Sequence, residues 1–157
     1  MYLKESAEDV NHMINEIYPH RINLTYIPEI GQSDADVLLY FNDGELLLKR
    51  DGSSLVFPTR KEMGYDKETG FFLFNLNGIN CFLIGECPFP ENGEFGFHDI
   101  NFFRKTHQKE VAWASLLGLH LMNWYTQNRF CGKCGSPNKA KDDERAMVCT
   151  ACDNIVY

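Results

Sequence analysis

The sequence predicts an α+β protein: an antiparallel β-rich N-terminal domain with flanking helices over residues 1–128, whose long last helix leads into a four-cysteine zinc ribbon over 129–157. Three observations carry this. Short apolar runs are separated by Asp43-Gly44, Asp51-Gly52 and Asn77-Gly78, the dipeptides of tight hairpins. A helix-periodic stretch runs from His107 to about Asn128. Two Cys-x-x-Cys pairs, Cys131/Cys134 and Cys149/Cys152, stand 14 residues apart.

The first element is a helix opened by Ser6, a residue that can accept from an early backbone N–H, with Asp9 at the capping-box position. Val10, Met13, Ile14 and Ile17 share one face, and Pro19 requires the helix to end near Tyr18. "RINLTYIPE" alternates, but Pro28 restricts it to an edge strand or loop. "DVLLYFNDGELLLKRDGSSLVFP" holds two strands about Asp43-Gly44 and a third at 54–57. "FFLFNLNGINCFLIGE" is a further hairpin with Asn77-Gly78 at its tip. "ECPFPENGE" is a loop and "GFHDINFF" another strand. Consecutive hairpins favour α+β over a doubly wound sheet. On the long helix, Trp113, Leu116, Leu117, His120, Leu121 and Trp124 form one stripe, expected to face the core, with His120 a hydrogen-bonded core histidine. Cys81, within a strand, is expected to be a small buried hydrophobe; Cys87 falls in a loop.

Composition narrows the function classes. Of 157 residues, 44% are hydrophobic and 24% charged, as in ordinary globular proteins. No apolar run approaches the ~20 residues that span a bilayer, and "MYLKESAEDVNHMINE" has neither a signal core nor a transit pattern. The expected location is cytoplasmic, with no membrane partner. A net charge of −7 argues against general nucleic-acid binding. From Arg129 onward five basic residues face four acidic ones, so the cysteine segment has no basic stripe.

In a reducing compartment, paired cysteines at this spacing point to metal. Each Cys-x-x-Cys turn can aim two sulfurs at one point, with Gly132 and Gly135 easing the backbone. The 14 intervening residues suffice for a hairpin that brings the turns together. Four thiolates close a tetrahedral zinc shell and leave no position for water, so the zinc is structural. The alternative, two redox dithiols, suits a pair that opens a helix in a βαβ unit, and neither pair does so.

The Trp-bearing helix, then "NRFCGKCGSP", then "DDERAMVCTACDNIVY", closely resembles the zinc-ribbon NADH pyrophosphatases of the Nudix hydrolase superfamily. The match is specific over residues 120–157. The resemblance implies a parent enzyme that hydrolyses the pyrophosphate of NAD(H) to NMN(H) and AMP, and that can also remove NAD caps from RNA. It implies a homodimer, and a catalytic Nudix domain following the ribbon with its own Mg²⁺ or Mn²⁺. The Nudix motif ends in Arg-Glu and Glu-Glu pairs, and neither dipeptide occurs here. The end at Tyr157 is therefore expected to be a fragment or split-gene boundary just before that domain, and the chain alone is expected to be inactive. Glu144, five residues before Cys149, and Tyr157, five after Cys152, resemble family residues that contact the dinucleotide; Arg104 resembles a phosphate-contacting arginine. Their residue-level alternatives are a solvated turn acid, a packing residue at the ribbon edge and a surface arginine. The rival class for the whole chain is a stand-alone zinc-ribbon module for interaction or dimerisation.

Overall fold

The computed structural model describes residues 16–27, 29–64, 70–86, 94–101 and 107–157. The helix expected from Ser6, the Pro28 position, Cys87 and Arg104 lie outside these residues. Where description begins, Glu16 and Ile17 are not helical, and the chain turns at Tyr18-Pro19. The architecture is α+β, with two sheets, one long helix and a small cysteine-bearing sheet.

The first sheet has the order β1 (Ile22–Asn23), β6 (Phe71–Leu76), β7 (Ile79–Leu83), β2 (Val37–Leu39). The "RINLTYIPE" stretch thus contributes a two-residue edge strand. The second sheet centres on β4 (Glu45–Asp51), which pairs antiparallel with β3 (Phe41–Asn42), β5 (Ser54–Val56) and β8 (Phe95–Asp99). Two hairpins close as their dipeptides require. Asp43 and Gly44 have φ of 47° and 83°, and Asn77 and Gly78 have 54° and 88°. Positive φ at both central residues gives a turn whose twist matches the flanking strands.

One pairing departs from the run of antiparallel hairpins: β2 lies parallel to β7, with Val37 opposite Cys81 and Leu39 opposite Leu83. The reason is burial. Val37, Leu38 and Leu39 are all buried, the pattern of a strand covered on both faces. Only Tyr40 separates β2 from β3, so one extended run serves both sheets. A short helix, α1 (Arg60–Met63), also goes beyond the sequence reading. Its signal is local: Thr59 and Glu62 form a reciprocal capping box, and Gly64 ends it at φ 59°.

The long helix α2 spans Lys109–Gln127. The predicted stripe holds only in part: Leu116, Leu117 and Leu121 pack against the core, but the fully buried face is a different one. Val111, Ala112, Ala114, Ser115 and Gly118 are buried, whereas Trp113, Leu116, Leu117, Leu121 and Trp124 are half-buried and His120 is exposed. The core-histidine expectation is therefore overturned. Small residues win the inner face because they let the helix axis approach the sheet, with the larger side chains flanking the contact. A Cβ at Gly118 would stand 2.4 Å from a methyl of Leu39 and 3.2 Å from the Phe41 ring. His120 follows Gly118 by two residues, about 200° around the helix, and so points outward. Gly118→Val is expected to lower stability by about 1–3 kcal/mol through overpacking, read as a shifted urea midpoint at unchanged slope.

Candidate metal centre and adjoining ligand face

The four cysteines sit on two turns of identical construction around a three-stranded sheet of β9 (Asn138–Ala140), β10 (Met147–Cys149) and β11 (Ile155–Val156). In the first turn the Cys131 N–H donates to Ser136 O at 2.8 Å and Gly135 N–H to Cys131 O at 2.8 Å. In the second, Cys149 N–H donates to Asn154 O at 2.9 Å and Asp153 N–H to Cys149 O at 3.2 Å. Lys133 N–H points at Cys131 Sγ and Ala151 N–H at Cys149 Sγ, both at 3.4 Å. Each turn leaves through a left-handed residue directly after its second cysteine: Gly135 at φ 76° and Asp153 at φ 56°. Gly132 is not left-handed; the residue that matches Gly135 in the second turn is an aspartate, a type that tolerates this region.

All four sulfurs lie within 4.8 Å of one another, with Cys131–Cys152 at 3.7 Å, Cys134–Cys149 at 3.4 Å and Cys134–Cys152 at 3.5 Å. A tetrahedron with Zn–S bonds of ~2.3 Å has sulfur–sulfur edges of about 3.8 Å, so the donor set fits zinc. Electrostatics agree. The backbone donor of Ser136 holds the Cys134 thiol down to about 6, and donors from Cys134 and Lys133 lower Cys131. Asn154 N–H favours the Cys152 thiolate, but its contact with Cys134, burial and the other sulfurs push Cys152 up to about 12. Four thiolates this close repel one another, and a divalent cation at their centre removes that penalty. Such a shell is closed, so the metal would organise the backbone and perform no chemistry. Among the described residues this is the grouping of three or more His, Cys, Asp or Glu donors that could hold an ion.

Glu144 and Tyr157, 13 residues apart, meet beside this centre. The Tyr157 hydroxyl donates to Glu144 Oε1 at 3.5 Å, and Lys141 Nζ contacts the same oxygen at 3.0 Å. Lys141 also pairs with Asp143, and these carboxylates raise its pKa while Asp143 is lowered. Trp124 Nε1 at the end of α2 donates to Tyr157 O at 3.2 Å. The Tyr157 ring itself is 74% exposed, leaving a face free for another aromatic surface.

Comparison with known proteins bears directly on this segment. Residues 127–157 match the family model described as the NADH pyrophosphatase zinc ribbon domain. In this segment the chain is similar to the zinc ribbon of NADH pyrophosphatases. The relatives extend the likeness upstream of the ribbon. The chain is 62% identical over 42 residues to the NAD-capped RNA hydrolase NudC of Stutzerimonas stutzeri, covering 27% of this chain and 14% of that protein. It is 31% identical over 103 residues to the protein of the same name from Citrobacter koseri, 62% of this chain and 39% of that one. With that of Pasteurella multocida it shares 28% identity over 126 residues, 78% of this chain and 42% of the relative. The chain thus spans less than half the length of these relatives.

The ribbon is joined to the β-rich sheets by contacts that sequence reasoning missed. Arg145 Nη2 donates to Leu73 O of β6 at 2.5 Å, its Nη1 lies 3.5 Å from the Tyr125 hydroxyl of α2, and its guanidinium stands 5.5 Å from the Tyr26 ring centre. Tyr26 in turn donates to Lys141 O at 3.1 Å. These partners come from four separate stretches of chain, and no spacing in the sequence signals them. Cys81 stays apart from the ribbon: it is fully buried in β7, and desolvation pushes its thiol up to about 12, consistent with a packing role. No described helix is long and apolar enough to cross a membrane.

Proposed function

We propose that this chain is the N-terminal and zinc-ribbon portion of an NAD(H) diphosphatase, which hydrolyses NADH to NMNH and AMP and removes NAD caps from RNA. In this reading residues 1–128 form the scaffold domain and 129–157 the ribbon. The segment supplies dimer contacts and part of the nucleotide pocket in a cytoplasmic enzyme. The observation that carries it is the meeting of Glu144 and Tyr157 on one face of the ribbon, beside the four-cysteine cluster. The names of the relatives support the substrate class.

The chemistry itself needs Mg²⁺ or Mn²⁺ held by carboxylates, to activate water and polarise the pyrophosphate. The described residues do not fit that group, because their one such cluster is the sulfur quartet. The role assigned to this chain is recognition: an exposed tyrosine ring can stack on a base or nicotinamide, and Glu144 can accept from a ribose or base donor. Stacking is worth about 1–3 kcal/mol by analogy with base–aromatic contacts.

Titration of the zinc-loaded chain with NAD⁺, followed through backbone amide shifts, is expected to perturb Glu144 and Tyr157 first. Tyr157→Ala is expected to weaken binding about tenfold at unchanged zinc content. In an enzyme that joins this chain to a Nudix domain, the same substitution is expected to raise KM by a similar factor. Unaltered binding and kinetics would return Tyr157 to a packing role at the ribbon edge.

A further inference from the structure

The turn between β9 and β10 carries Glu144, and it is gripped at both ends. Inside the ribbon it is closed by Lys141 N–H donating to Ala146 O at 2.9 Å. Outside the ribbon, Tyr26 donates to Lys141 O at the start of the turn, and Arg145 reaches β6 and α2 at its end. The acceptor on β6 is specific. Phe72 pairs with Phe82 and Phe74 with the next residue, Cys81, so Leu73 is the extra residue of a β-bulge. A bulged residue is left out of the strand ladder, so its carbonyl is available to a donor from another element. Leu73 is fully buried, and its carbonyl is met by the ribbon's guanidinium.

We propose that Arg145 is a positioning residue that holds the Glu144–Tyr157 face at a fixed orientation to β6 and α2. The importance of that face rests on the function proposed above; the docking itself does not. A planar guanidinium suits the task, because it presents donors in a fixed fork while lying over the Tyr26 ring. A lysine has the charge but not the fork, and cannot serve Leu73 O, the Tyr125 hydroxyl and the ring together. Zinc fixes the ribbon internally, and Arg145 fixes it externally.

The test uses the zinc-loaded chain labelled with ¹⁵N, as wild type, Arg145→Ala and Arg145→Lys. The readouts are zinc content, amide relaxation and NAD⁺ titration. With Arg145→Ala the zinc content and the cysteine amide shifts are expected to stay as in wild type. Ribbon amides are expected to tumble with a shorter correlation time than those of β6 and α2, and NAD⁺ affinity to fall about tenfold, the scale of one charge-assisted hydrogen bond. Arg145→Lys is expected to show the same loosening. A ribbon that still tumbles with β6 and α2 in both variants overturns the proposal, as does loosening with unchanged NAD⁺ affinity where wild type binds. If Arg145→Ala loses zinc, the lysine variant decides by the same comparison. If wild type binds no NAD⁺, the function proposed above fails, and the tumbling comparison alone passes judgement on Arg145.

Discussion

Replacing Cys149 with serine is expected to release zinc and unfold the ribbon while the β-rich sheets stay folded. The ribbon has little else to hold it. Its strands are three, three and two residues long, and its buried apolar side chains beyond the cysteines are Ala146 and Met147. Structural zinc in such small units contributes about 10–16 kcal/mol of apparent binding free energy, more than a sheet this size can replace. Cys149 is also the cysteine whose backbone closes the second turn, accepting from Asp153 and donating to Asn154. Elemental analysis is expected to find about one zinc per wild-type chain, from the four ligands present, and almost none in the variant. Amide spectra are expected to lose dispersion over 129–157 while the shifts of β4, β6 and β7 persist. The sheets survive because their core, from Leu39 and Leu46 to Phe74 and Ala114, is built without ribbon residues. A metal-free wild-type protein with a native ribbon would refute the zinc assignment, and collapse of the sheets would refute the division at residue 128.

Incubated with NADH and either Mg²⁺ or Mn²⁺, the purified chain is expected to produce no NMNH or AMP. Water attacks a pyrophosphate slowly, and enzymes gain factors of about 10⁶ or more by positioning metal ions and nucleophile together. That positioning takes clustered carboxylates. The chain contains no Arg-Glu or Glu-Glu pair, and two of its acids at 142–144, Asp143 and Glu144, are already engaged by Lys141. Joined in one polypeptide to a Nudix catalytic domain, the same chain is expected to support turnover. Chromatographic assay of the products decides both arms. Activity that tracks the isolated chain through purification would reveal a hydrolytic site of its own, and the role in recognition would then be incomplete.

The elements that depend on neighbours in sequence were legible before any coordinates. Asp43-Gly44 and Asn77-Gly78 require backbone that few other dipeptides adopt, so the hairpins could be read from two letters each. Cys131, Cys134, Cys149 and Cys152 announce their common target because a Cys-x-x-Cys turn is itself a local geometry. Periodicity located α2 to within two residues at its start and one at its end. It caught the flank of the core contact, with Leu116, Leu117 and Leu121, but not its centre, because a hydrophobic pattern counts apolar area, whereas contact distance selected Gly118, Ala114 and Ser115 for the side nearest the sheet.

What only the tertiary structure decided is every pairing across long sequence separations. Val37 beside Cys81, Arg145 reaching the Leu73 carbonyl, and Tyr26 reaching Lys141 O join stretches whose own residues are compatible with other partners. Local chemistry sets which backbone shapes are cheap. Which of them meet is set by the burial of shared apolar surface and the satisfaction of buried carbonyls, and both are properties of the assembled chain.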